Sequence, residues 1–156
     1  MTVMNWRSYH RLQGDDVMNL DKGTIAITGE DFNPGLFIEA ARSGNTGAVV
    51  TFIGVVRDDG IESIGIEAYE EVALQDLKEI RDEAVAQYGL QYVTIIHRVG
   101  TLQIGENILL IIVSAGHRKQ AFLGCESILE RIKERVPFWK RELLKDGERW
   151  VRGNLE

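Results

Sequence analysis

The run Asn107–Ala115, NILLIIVSA, decides the architecture. It carries no charge, is dominated by Ile, Leu and Val, and is short for a helix, so it reads as a strand with both faces covered. Such a strand needs layers packed on it, which points to a sheet with helices.

Working outward, residues 93–99 supply a second strand joined to it through Gly105. Residues 24–28, TIAIT, alternate as a short strand. Asn33 then caps a helix with Pro34 at its first position and Gly44 beyond its end, turning Leu36, Phe37, Ala40 and Ala41 inward. Residues 48–56, AVVTFIGVV, read as a buried strand. Asp58-Asp59-Gly60 is a turn signal, and residues 64–69 return as the partner of a hairpin. Apolar positions from Ala73 through Leu77, Ile80 and Ala84 to Tyr88 recur at helical spacing, with Gly89 placed to stop the helix. A last amphipathic stripe runs from Ala121 and Phe122 through Cys125, Ile128, Leu129 and Ile132 to Val136. The expected fold class is α+β, a mixed and largely antiparallel sheet with packed helices. Residues 1–23 are polar and without a sustained period and are expected to form an N-terminal extension, with one domain over residues 24–156.

Composition narrows the function. A net charge of -6 argues against a general nucleic-acid surface, so any anion site is local. No apolar run approaches the roughly 20 residues of a membrane span and no secretory signal is visible, so a soluble cytoplasmic protein is expected. Cys125 is the only cysteine, which precludes an intrachain disulfide, and three scattered histidines show no metal-ligand spacing. No metal or cofactor is expected.

RVPFWKRE, residues 135–142, places one of two prolines ahead of two aromatics and a lysine. Proline disfavours helix for the residue before it, so the helix should end near Arg135 and Val136 should turn extended. On the helical wheel Lys133 lies about 20° from Phe122 and about 90° from the centre of the stripe, on its rim. Past Pro137, alternation puts Phe138 and Lys140 on one side and Trp139 and Arg141 on the other, so Lys140 can face back toward Lys133. A plainer reading stands beside this one: Lys133 pairs with Glu130 on the surface, and Phe138 and Trp139 are core anchors. At Ser114–Phe122, SAGHRKQAF, a strand meets a helix near His117 and Arg118, which either forms an anion site or merely caps the turn. Arg57 at the end of the 48–56 run is a third cation near a loop.

GAVVTFIGVVR (47–57), EAYEEVA (67–73), HRVGTLQIGE (97–106), SAGHRKQAF, RIKERVPFWKRE and GERWV (147–151) together resemble the large, catalytic subunits of molybdopterin synthase, in family order from about residue 24 to 151. The resemblance implies an α/β-hammerhead-like fold. It also implies conversion of cyclic pyranopterin monophosphate (precursor Z) to molybdopterin, with two sulfurs delivered by the thiocarboxylated C-terminal glycine of a small ubiquitin-like carrier subunit. Carried over residue by residue, it puts the catalytic lysines on Lys133 and Lys140. Substrate contacts fall on these two and on Arg57, His117, Arg118, Arg141 and Glu142, and the pocket wall on Phe52 and Phe138. It further implies a homodimer in which His117 and Arg118 reach the neighbouring active site, within a heterotetramer.

Both implied substrates are anions, so an acidic protein must gather cations locally. A lysine at its ordinary pKa is almost wholly charged at neutral pH, which favours Lys133 as the group that stabilises the oxyanion when sulfur leaves. Lys140 is then the candidate for proton transfer, depressed by neighbouring cations. Two rivals use the same residues differently: a noncatalytic dimeric module binding a phosphorylated ligand or a ubiquitin-like tail, and an acyl-transfer enzyme built on Cys125.

Overall fold

A computed structural model describes residues 18–19 and 22–152. Along the chain, β1 (Met18–Asn19) and β2 (Gly23–Thr28) precede α1 (Pro34–Ala40), and β3 (Ala48–Val55) and β4 (Ser63–Ala68) precede α2 (Glu70–Tyr88). Next come β5 (Tyr92–Arg98), β6 (Gly100–Gln103) and β7 (Asn107–Ala115), then α3 (Arg118–Arg135), β8 (Phe138–Leu144) and β9 (Gly147–Arg152). The expected extension over residues 1–23 lies mostly outside the described residues; its end contributes β1, which pairs with β2.

The strands form two sheets, one of order β1-β2-β5-β7-β3 and one of order β6-β4-β8-β9. Every pairing is antiparallel except β2 with β5. Strand β7 lies inside its sheet, between β5 and β3, and is buried from Leu109 to Ala115, as its composition requires. Leu109, Ile111 and Val113 join one core with Leu77, Ile80, Ile128 and Ile132 from α2 and α3. Leu110 and Ile112 face the other way, onto Phe37 and Ala41 at α1. Ile64, Ile66 and Leu102 of the second sheet enter the first of these cores, so one apolar interior ties the two sheets together.

Local signals account for the helices. Asn33 Oδ1 accepts from Gly35 N at 3.1 Å, which caps α1 ahead of Pro34. Gly89 ends α2 in the left-handed region, φ 65°, where a side chain would be strained. Val136 turns extended at φ -87°, ψ 123°, ending α3 at Arg135 before Pro137.

Several expectations are corrected. The hairpin between residues 48–56 and 64–69 does not form: β3 pairs along its length with β7, while β4 lies in the other sheet between β6 and β8. The turn itself is present, with Gly60 N donating to Asp58 Oδ1 at 3.2 Å, but it passes the chain from one sheet to the next. A turn signal specifies the reversal; the partner is set by which strand offers the longer apolar ladder, and β7 does. Nor is β3 buried. It is the outer strand, with Ile53 and Val55 exposed on one face. Leu36 and Phe122 point to solvent, Phe122 with 63% of its surface exposed. Helix α1 stops at Ala40, short of Gly44. Strand β6 was not expected, because four residues around one buried Leu102 carry too little periodicity to read.

Candidate functional site

The break after α3 builds a cleft. Helix α3 carries cations on two sides. Arg131 and Arg135, four residues apart and so on one face, bond to Glu83 of α2 at 3.2 and 2.6 Å, and Arg135 also reaches Glu79 at 3.6 Å. The guanidinium of Arg135 holds the Glu83 carboxyl below the usual carboxylate range. Lys133, two residues from each arginine, is turned away from α2 and lines the cleft. Past Pro137, β8 returns along β4, and alternation brings Phe138 and Lys140 to the same space.

This cleft has a volume of ≈ 320 Å³, and among the described residues its charged lining is Arg57, Lys133 and Lys140. Phe52, Phe138 and His97 supply walls, over a floor that includes Leu129 and Ile132. A smaller hollow of ≈ 80 Å³ shares Arg57 and Lys140 with it and extends to Glu142 and Val151. The β3–β7 ladder shifts register at Gly54/Val55, where Gly54 faces Leu109 and Val55 faces Asn107. The extra residue, Ile108, lines both hollows. The bulge lies in β7 and bends that strand beside the end of β3; Arg57, two residues past β3, lines the cleft, with its Nη2 3.3 Å from Asp59 Oδ2. Another hollow, ≈ 360 Å³ between α1 and the start of β3, has Arg42 as its one charged wall among the described residues, and Arg42 sits 3.7 Å from Glu39. Convergent charge distinguishes the first cleft.

Phe138 has two surroundings. It is buried in the core and also lines the cleft, stacked on His97 with ring centroids 3.6 Å apart and planes 10° from parallel. Trp139 is no wall. It lies on the opposite face of β8, 53% exposed. Arg141 shares that face: its side chain covers Gly65, its guanidinium lies 5.6 Å from the Trp150 ring centroid, and Glu148 is 3.6 Å away. The structure therefore does not bring Arg141 to Lys133 and Lys140. Glu142 returns to the cleft side, where Arg149, opposite it on β9, takes its carboxylate through Nε at 2.8 Å and through Nη2.

His117 and Arg118 stand at the N-terminus of α3, exposed, and His117 makes no side-chain capping bond. From Arg118 to Lys133 the helix rises about 22 Å at 1.5 Å per residue, so one chain cannot bring the two ends to one ligand. Cys125 is 5% exposed within the core of α3, and burial pushes its thiol up to about 11. It is not among the cleft residues.

Sequence reasoning passed over His97 and Arg149. The signal for His97 was period-two alternation: it shares a face of β5 with Val93 and Ile95, which both enter the core beneath α2 and α3. Arg149 had no local signal, since its role depends on β9 pairing with β8.

No helix among the described residues is long and apolar enough to cross a membrane. Residues 27–135 match the MoaE protein family. The chain is 40% identical over 141 residues to the molybdopterin synthase catalytic subunit of Pyrococcus abyssi, covering 88% of this chain and 95% of the relative. It is 40% identical over 132 residues to that of Vibrio cholerae, covering 81% and 88%. The crystal structure of molybdopterin synthase from Staphylococcus aureus superposes with a TM-score of 0.78 at 37% identity, covering 86% of this chain and 98% of the other. A Helicobacter pylori complex of subunits 1 and 2 of molybdopterin-converting factor superposes with a TM-score of 0.66 at 25% identity, covering 75% and 80%. A matching fold and a match across most of the sequence establish that this chain belongs to the MoaE family of molybdopterin synthase catalytic subunits, enzymes of molybdenum cofactor biosynthesis.

Proposed function

We propose that the cleft between α3 and β8 is a sulfurtransferase site that converts cyclic pyranopterin monophosphate to molybdopterin. The sulfur comes from the thiocarboxylated C-terminal glycine of a small ubiquitin-like carrier, and the protein acts in the cytoplasm. The observation that carries this reading is the convergence of Arg57 from the loop after β3, Lys133 from α3 and Lys140 from β8 on one aromatic-walled cleft in an otherwise acidic chain. Two anions must be held together there, and a local cluster of cations lowers the cost of doing so. Lys133 stabilises the oxyanion that forms on the thiocarboxylate carbonyl as the carbon–sulfur bond to the carrier breaks, and Lys140 moves the proton. Sulfur bonds to a pterin side-chain carbon as an oxygen leaves that carbon, and water then cleaves the thioester so formed, its oxygen replacing sulfur on the carrier; each carrier leaves as a carboxylate and two carriers serve one product.

A second copy of this chain completes the site. His117 and Arg118 lie too far from Lys133 along α3 to act within one chain. Phe122 and Leu123 form an exposed apolar patch beside them, which suits a homodimer in which each α3 N-terminus reaches the partner's cleft, within a heterotetramer. Arg141 contributes from the outer face of β8 by fixing that strand rather than from within the cleft.

The test incubates the purified chain with cyclic pyranopterin monophosphate and thiocarboxylated carrier, and looks for the dithiolene product by mass spectrometry. Product formation is expected. Binding of both partners without sulfur gain would sink the enzymatic reading and favour a noncatalytic binding module.

A further inference from the structure

His97 has no part in the reaction described above, yet the fold holds it with unusual completeness. Its side chain is buried at the end of β5 and lines the cleft. One face of the ring lies on Phe138. Nδ1 is 2.8 Å from the carbonyl oxygen of Arg98. A carbonyl only accepts, so Nδ1 carries the hydrogen and Nε2 is left with a lone pair. Arg98 is itself fixed: its guanidinium bonds to Gly29 O at 3.0 Å, Asn107 O at 3.2 Å and Glu106 Oε1 at 3.3 Å, so the acceptor that sets the tautomer has little freedom.

Among the described residues, the charged groups that share the cleft with His97 are all cations: Lys133 from α3, Lys140 from β8 and Arg57 beyond β3. On its own strand the neighbour is Arg98, again a cation. Burial above all, together with the charge of Lys140, pushes the imidazole down to about 4, although the bond to Arg98 opposes this. A neutral ring among cations acts differently from one more charge. It offers a lone pair to an ammonium while adding no repulsion.

We propose that His97 is a positioning residue for Lys140: its uncharged imidazole, locked in the Nδ1–H tautomer by Arg98 and clamped on Phe138, offers Nε2 as the acceptor that holds the Lys140 ammonium in the cleft. The proposal rests on the reading of Lys140 as part of the sulfur-transfer site. It adds that the orientation and reactivity of this lysine are set by a neighbouring side chain that acts through it.

The decisive measurement needs no turnover. Trace acetic anhydride labelling at pH 8, quantified by mass spectrometry on the peptide carrying Lys140, is compared in wild type, His97→Phe and His97→Gln. Phenylalanine keeps a stacking ring and loses the acceptor. Glutamine loses the ring and keeps an acceptor at similar reach. Losing a bond to the charged form frees the amine, so Lys140 should label about threefold faster or more in His97→Phe, with Lys78 and Lys119 unchanged and His97→Gln near wild type. In single-turnover sulfur transfer, His97→Phe should lose about tenfold in rate with KM within about twofold, and His97→Gln should recover most of it. Equal Lys140 labelling in all three proteins overturns the proposal. So does a wild-type ¹⁵N spectrum showing hydrogen on Nε2, a measurement that stands even if His97→Phe does not fold. A wild type without turnover but with the expected labelling pattern would remove the sulfurtransferase reading and leave the His97–Lys140 link in place.

Discussion

Lys133 and Lys140 line one cleft from opposite sides of Pro137, the first on the rim of α3 and the second on β8. The chain reverses between them because Val136 cannot stay helical ahead of proline, and β4 then captures the returning strand from Phe138 to Leu143. Lys133→Ala and Lys140→Ala are each expected to lower single-turnover sulfur transfer by more than about tenfold, near 1.4 kcal/mol in the barrier. Neither side chain is part of the core, so thermal unfolding should move little. Losses smaller than tenfold in both variants would remove the roles assigned to them.

Acid should weaken the fold through His97. Its folded-state pKa, pushed down to about 4 by burial, lies below the unfolded value of 6.5, so between these limits the unfolded chain binds a proton that the native ring refuses. Stability from this group is present above pH 6.5 and is lost as pH falls toward 4, by about 3 kcal/mol at most. Urea unfolding at pH 7 and pH 4.5 checks this, with His97→Gln as control: the variant should show a shallower decline over the same interval.

Gly47 opens the block GAVVTFIGVVR, and packing explains why no larger residue fits. A Cβ there would lie 2.0 Å from the backbone oxygen of Gly116, at the junction where β7 gives way to α3. Gly47→Ala forces backbone to move and should cost about 2 kcal/mol or more, read as a lowered urea midpoint with unchanged slope.

Arg149 occupies the carboxylate of Glu142, which would otherwise be available to Lys140 across the smaller hollow they share. Arg149→Ala should therefore slow transfer several-fold, while the stability change stays within about 0.5 kcal/mol because the arginine is more than half exposed. Adding Glu142→Gln in the same chain should restore much of the rate. Additive losses in the double variant would show that the pair acts only as a strand clamp.

Cys125 offers a test of the rival acyl-transfer mechanism. With its thiol pushed up to about 11 by burial, the reactive thiolate is scarce at neutral pH, and native protein should resist alkylation until it unfolds. Cys125→Ala should retain turnover within about twofold while costing about 1 kcal/mol of stability. Abolished turnover in a folded Cys125→Ala protein would revive the thiol mechanism.

Much of this molecule was written locally. The spacing from Ala73 to Tyr88, the stop at Gly89 and the break at Pro137 set α2 and the end of α3, because these depend on residues within a turn or two of each other. Alternation past Pro137 was enough to separate Lys140 from Arg141 and to aim Lys140 back toward Lys133. Strand β7 declared its own burial by composition.

Other features required the whole chain. The turn at Asp58-Gly60 was legible, but whether β3 and β4 would pair was not. That choice was a competition among strands, won by β7 for one and by β6 and β8 for the other. The same dependence hid the neutral His97 wall and the Arg149 hold on Glu142, since each arises from groups far apart in sequence that meet only when the sheets form. Short-range sterics determined where this chain runs straight and where it turns. Which charges face one another across the cleft was decided by the apolar interior that draws two sheets and two helices together, because burying that surface fixes every partner at once.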